Sequence, residues 1–100
     1  MHRRPFRYEL PVNDNAHPLP AGKILHFTEH RNLRLGAVHR VEVWVEVTVN
    51  GDDFLLDPIV GTQRVKIIGT GHPIPDGAEH LASCLDGPLV WHLYRLKENS

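Results

Sequence analysis

From Val41 to Val49 the chain reads V-E-V-W-V-E-V-T-V. Val41, Val43, Val45, Val47 and Val49 share one parity, while Glu42, Trp44, Glu46 and Thr48 share the other. Period-two alternation of β-branched residues predicts a strand with one buried face. Asn50-Gly51 then offers the residue types that accept positive φ in a type I′ turn, so Phe54-Leu55-Leu56 is expected as the returning arm, ended by Asp57-Pro58. Phe6, Tyr8, Leu10 and Val12 alternate with Arg7, Glu9 and Pro11, and the proline marks an edge strand or an early ending. Shorter apolar runs at Ile24–Thr28, Arg64–Gly69, Ala78–Leu85 and Leu89–Leu96 predict further strands. In the last of these, Leu89, Trp91 and Leu93 fall on one parity and Val90, His92 and Tyr94 on the other. Eight prolines and eight glycines leave pieces too short for stable helices, and Thr28–Gly36 holds at most a helical turn. The expected fold is all-β, a small barrel or sandwich of six or seven strands.

A repeated phrase refines that expectation. Residues 17–22 read H-P-L-P-A-G and residues 72–77 read H-P-I-P-D-G. Each copy sits between apolar runs, which predicts two pseudo-repeated strand-turn-strand units in one domain spanning 1–100, with 1–5 and 97–100 as flexible ends. Val43-Trp44 then corresponds to Val90-Trp91, although Trp44 lies off the valine face and Trp91 lies with the leucines. Duplication and independent use of good turn chemistry both account for the phrase.

Composition narrows the function classes. One hundred residues suffice for a single core. Lys+Arg is 11 against 12 Asp+Glu, so the overall basic excess of a nucleic-acid binder is missing. The local clusters Arg3, Arg4, Arg7 and Arg31, Arg34, Arg40 read as solvated charge. A single cysteine, Cys84, excludes a disulfide scaffold and fits a reducing compartment. No apolar run approaches the ~20 residues of a membrane span, and no apolar segment succeeds the N-terminal arginines as a secretory signal requires. A cytoplasmic location is expected.

Four places carry candidate chemistry. His26-Phe27-Thr28-Glu29-His30 matches H-x-x-E-H, a zinc pattern that needs both histidines one helical turn apart. On a strand, residues four apart stand roughly 13 Å from each other, so no metal is expected there. Gly69-Thr70-Gly71-His72 is the best loop for a small anionic ligand: its glycines allow close backbone approach and an amide nest, and His72 adds an imidazole. A glycine-bent strand exit is the plainer reading of the same residues. Trp44 between Glu42 and Glu46 is either an exposed partner anchor or part of a second core layer. Cys84 and His80 share strand parity, but residues four apart do not touch, and an inert thiol is expected.

The stretch G-T-G-H-P-I-P-D-G-A-E-H at 69–80, with L-V-W-H-L at 89–93, resembles a family of short proteins from bacteriophages and actinobacteria that has no assigned activity. The early R-Y-E-L-P-V and L-P-A-G-K-I-L-H-F are similar to that family's first half, so the resemblance covers most of the chain, while 29–40 and 50–63 are longer than its pattern. The resemblance implies phage or prophage origin and brings no catalytic residues.

Binding therefore ranks ahead of catalysis, with no cofactor. The first expectation is an accessory protein that self-associates or engages a protein partner, such as a host factor, through Glu42, Trp44 and Glu46. The second is a nucleotide- or anion-sequestering protein using Gly69, Thr70, Gly71 and His72. A metal-dependent hydrolase comes third. Membrane and nucleic-acid partners are not expected.

Overall fold

The valine strand is the centre of one sheet. The computed structural model describes residues 2–30, 40–49 and 61–97. Within them seven strands form two antiparallel sheets: β1 (His2–Pro11), β2 (His17–Pro20), β3 (Lys23–His30), β4 (Arg40–Val49), β5 (Thr62–Gly69), β6 (Glu79–Asp86) and β7 (Leu89–Arg95). The sheet orders are β1-β4-β3 and β2-β5-β7-β6, and neither closes into a barrel. The architecture is a sandwich. Among the described residues no helix is long and apolar enough to cross a membrane.

Alternation decides which face each sheet buries. Val41, Val43, Val45 and Val47 are at most 1% exposed. Phe6, Tyr8 and Leu10 of β1 stand opposite Val45, Val43 and Val41, so they join the same inner face. Across the interior, Leu19, Val65, Ile67 and Leu93 complete the core, with Ala82, Cys84 and Trp91 packed against it. Burying each Val or Leu side chain contributes about 1.5–3 kcal/mol. β1 carries Pro5 and Pro11, which an edge strand tolerates because one of its sides needs no ladder. Residues 2–5 belong to that ladder, opposite 46–49. The turn at Asn50-Gly51 and the arm at Phe54–Leu56 lie outside the described residues, and both flanks of β4 are held by β1 and β3.

The two halves share a topology. In each, a three-stranded unit places its third strand in the middle: β1-β4-β3 in the first half, β5-β7-β6 in the second. Each middle strand also meets a β-bulge early in its second neighbour, between Ile24 and His26 and between His80 and Ala82. This common order favours duplication over repeated turn chemistry.

The repeated phrase nevertheless does two different jobs. The expected turn at residues 17–22 is corrected: His17–Pro20 is strand β2, paired with Thr62–Val65 on the edge of the second sheet. Pro18 and Pro20 fit there because an edge strand has one flank that needs no donors. Ala21 and Gly22 then turn the chain from one sheet into the other. The Ala21 amide donates to the Gly61 carbonyl at 2.8 Å, and a side chain at position 22 would strike the Glu46 carbonyl. Buried Gln63 closes this corner by donating from Nε2 to the Pro20 and Gly22 carbonyls at 2.8 and 3.2 Å. Its Oε1 accepts from Arg95 Nε at 2.8 Å, and Arg95 in turn holds Glu79 at 3.1 Å. The second copy of the phrase is a loop between β5 and β6, as the spacing predicts.

Candidate functional site

Trp44 lies on the outer face of the first sheet, opposite Arg7 of β1 and His26 of β3. Glu42 and Glu46 flank it on β4. Arg7 pairs with Glu42 at 3.6 Å, Arg3 with Glu46 at 3.4 Å and Arg40 with Glu9 at 3.9 Å. The indole is half-buried. Its Nε1–H is buried and meets no acceptor among the described residues. The surroundings of Trp44 are thus a lattice of partly exposed ion pairs, each worth about 0.2–1 kcal/mol, rather than a dry patch.

The Gly69–His72 loop is built differently. The His72 amide donates to the Gly69 carbonyl at 3.1 Å, and Gly71 has φ 89° at the third position. That is the type II turn, which needs glycine there. One amide of the expected anion nest is therefore spent closing the turn. Gly69 brings two rings together: a Cβ at this position would lie 3.2 Å from His72 Cδ2 and 3.3 Å from Trp91 Cζ3. Trp91 faces inward on β7, and its Nε1–H donates to Asp86 Oδ2 at 3.0 Å, which fixes the indole. Asp86 and Leu89 close a two-residue hairpin in which Gly87, at φ 58°, takes the positive-φ first position of a type II′ turn and Pro88 the second.

Gly69, His72 and Trp91 form the common wall of two clefts. The first, of about 330 Å³, runs under Val12 and Asp14 of the β1–β2 connection and over Lys66 and Ile68. It opens where β2 stops pairing at Val65 and where, among the described residues, the far half of β5 has no strand neighbour on that side. The second, of about 380 Å³, is bounded by Thr70, Pro88, Leu89 and Val90. Gly69 and His72 line both clefts, Thr70 lines the second and Gly71 lines neither, whereas Glu42, Trp44 and Glu46 belong to the opposite sheet.

A third cluster was not anticipated from the sequence. On the outer face of the second sheet, His80 Nε2 lies 2.8 Å from Ser83 Oγ, Ser83 Oγ 2.6 Å from His92 Nδ1, and His92 Nε2 3.0 Å from Thr70 Oγ1. Tyr94 stands edge-on to His80 at 5.3 Å between ring centroids. The Ser83 hydroxyl has one proton, so it donates to one imidazole and accepts from the other. The signal was present in the hairpin: Asp86 opposite Leu89 places Ser83 opposite His92 by counting. The bulge between His80 and Ala82 does the rest.

That bulge also corrects the expectation that His80 and Cys84 share a face. His80 stands opposite Tyr94 on the outer face, and Cys84 stands opposite Trp91 on the inner one. One extra residue in a strand reverses the parity of every residue after it. The Cys84 thiol is pushed up to about 11, first by burial and then by Asp86 and Glu29, so it is no nucleophile near neutral pH. His26 and His30 stand on a continuous strand, opposite Trp44 and Arg40, which keeps them apart. Among the described residues no three His, Cys, Asp or Glu side chains gather around a point. His17 faces inward opposite Val65, and burial lowers its pKa against the opposing effect of a hydrogen bond to the Pro11 carbonyl.

No curated protein matches the chain. No solved structure matches it either. The model of a family described as a domain of unknown function, DUF7352, matches residues 1–100, and the chain belongs to that family.

Proposed function

We propose that this chain is a binding protein for a small anion-bearing molecule, held against the wall that His72 and Trp91 share. The observation that carries this reading is the pair of clefts, about 330 and 380 Å³, meeting at that wall. Both volumes fall in the range of roughly 300–1,000 Å³ typical of small-molecule sites. The chemistry is mixed in the way such sites require: an apolar floor from Val12, Ile68 and Trp91, with Lys66, His72 and Asp14 as the polar groups. Lys66 and His72 suit a phosphate or carboxylate, and Asp14 suits a hydroxyl or amine on the same molecule. A nucleotide combines these features with a flat ring for Trp91. Trp44 supports a protein partner less well, because docking there would strip water from Arg7, Glu42 and Glu46 along with the indole. The resemblance of residues 69–80 and 89–93 to phage and actinobacterial proteins supports a phage-derived accessory role, in which the module sequesters its ligand.

Tryptophan emission tests the reading. In a Trp44→Phe background Trp91 is the remaining indole. Adenosine monophosphate and inorganic phosphate serve as probes, and native mass spectrometry of freshly purified protein reports any co-purified molecule. Saturable quenching that is lost on His72→Ala or Lys66→Ala supports the proposal. Unchanged emission with both probes, together with an unadorned mass, refutes it.

A further inference from the structure

We propose that His80 and His92 form a two-histidine site for a divalent first-row transition ion on the outer face of the four-stranded sheet. Neither histidine lines the clefts, although Thr70, which touches His92, also bounds the second one; the site does not depend on their ligand.

The geometry is that of two imidazole nitrogens aimed at one point; the one that now donates to Ser83 Oγ presents its lone pair after its proton passes to the ring's other nitrogen. His80 Nε2 and His92 Nδ1 lie 2.8 and 2.6 Å from the same atom, Ser83 Oγ. Their ring centroids are 6.0 Å apart. Two imidazoles bound to one ion at about 2.0–2.1 Å per nitrogen place their centroids roughly 5–6 Å apart. The rings therefore need only a small approach, with the Ser83 hydroxyl turning aside from the position the ion takes. Ser83 is exposed, so that rotation meets no packed wall.

The surroundings supply what a ligating imidazole needs. A metal-bound histidine donates its other N–H to an oxygen, which fixes the tautomer. For His92 that oxygen is Thr70 Oγ1, 3.0 Å from Nε2. His80 packs T-shaped against Tyr94, with the ring centroids 5.3 Å apart. The bulge between His80 and Ala82 is what brings His80 beside His92 rather than one residue out of step. Imidazole pairs select Cu²⁺, Ni²⁺ and Zn²⁺ over Mg²⁺ and Ca²⁺. Two protein ligands leave the remaining positions to water, which the freed Ser83 hydroxyl can hydrogen-bond.

Zn²⁺ and Cu²⁺ titrations of the full chain, monitored by calorimetry and by imidazole nitrogen resonances, test the site. The expected result is one ion per chain, Cu²⁺ tighter than Zn²⁺, with the His80 Nε2 and His92 Nδ1 signals moving and no response to Mg²⁺. His80→Gln and His92→Gln should each weaken Zn²⁺ binding at least tenfold, and Thr70→Val should weaken it several-fold. Ser83→Ala should keep or improve it, since the hydroxyl occupies the ion's place. His80 is exposed, so His80→Gln folds even if a change at half-buried His92 does not. Zinc affinity unchanged in His80→Gln, signals moving at His26 or His72 instead, or no saturable binding to the wild type would each overturn the proposal.

Discussion

Gln63→Met replaces the polar plug at the crossing between the sheets with an apolar side chain of similar length. Gln63 is 7% exposed and makes three hydrogen bonds there: two donated to the Pro20 and Gly22 carbonyls and one accepted from Arg95 Nε. Each such bond contributes about 0.5–1.5 kcal/mol net, and a buried carbonyl or N–H left without a partner costs about 1–3 kcal/mol. Burying the methionine thioether returns part of this, and Arg95 keeps its exposed pair with Glu79, worth at most about 1 kcal/mol. The expected loss is about 2–4 kcal/mol, which for a domain of this size lowers Tm by roughly 10–25 °C. Urea unfolding read by circular dichroism, with a thermal melt beside it, measures the change. Gln63→Glu separates donor from acceptor: it keeps the partner for Arg95 but turns an oxygen on the two carbonyls, and should also destabilise. A loss below about 1 kcal/mol at unchanged m-value would mean that the corner carbonyls are satisfied by water and that Gln63 merely fills space.

Three other outcomes rest on named groups. His17 has a folded pKa below its ordinary 6.5, so its contribution to stability is present above that value and is lost as pH falls through the folded pKa. Urea midpoints should fall on acidification below pH 6.5, and His17→Gln should flatten that part of the profile; an unchanged slope refutes the assignment. Cys84 should resist iodoacetamide at pH 7.5 in the folded protein and react on unfolding, whereas rapid alkylation of the native state would contradict a thiol raised to about 11. Trp44→Phe removes an indole N–H that has no acceptor among the described residues while keeping most of the ring, so stability should change by less than about 1 kcal/mol. A loss of 3 kcal/mol or more, about what truncating a core aromatic costs, would make Trp44 a core residue.

Much of the scaffold is written in local pattern. The valine alternation at 41–49 sets which face of β4 is buried, because side chains along a strand reverse every residue and five valines on one parity leave no other choice of face. The strands at Phe6–Leu10, Arg64–Gly69, Ala78–Leu85 and Leu89–Leu96 are legible for the same reason, and Gly71 in its turn reflects glycine's access to positive φ. The candidate loop Gly69–His72 is likewise visible as two glycines around a threonine. The features that local pattern leaves illegible depend on partners distant in the chain. His17–Pro20 reads as a turn until the edge of β5 is there to pair with it, since an isolated proline-rich segment has no ladder to reveal. Trp91 reads as one aromatic among several until Gly69 and His72 stand beside it. The bulge after His80 carries no local signature, yet it decides that His80 meets Ser83 and His92 outside while Cys84 turns inward. A strand's parity is a local property of its residues, but where that parity is reset depends on the neighbouring strand that the residues must fit.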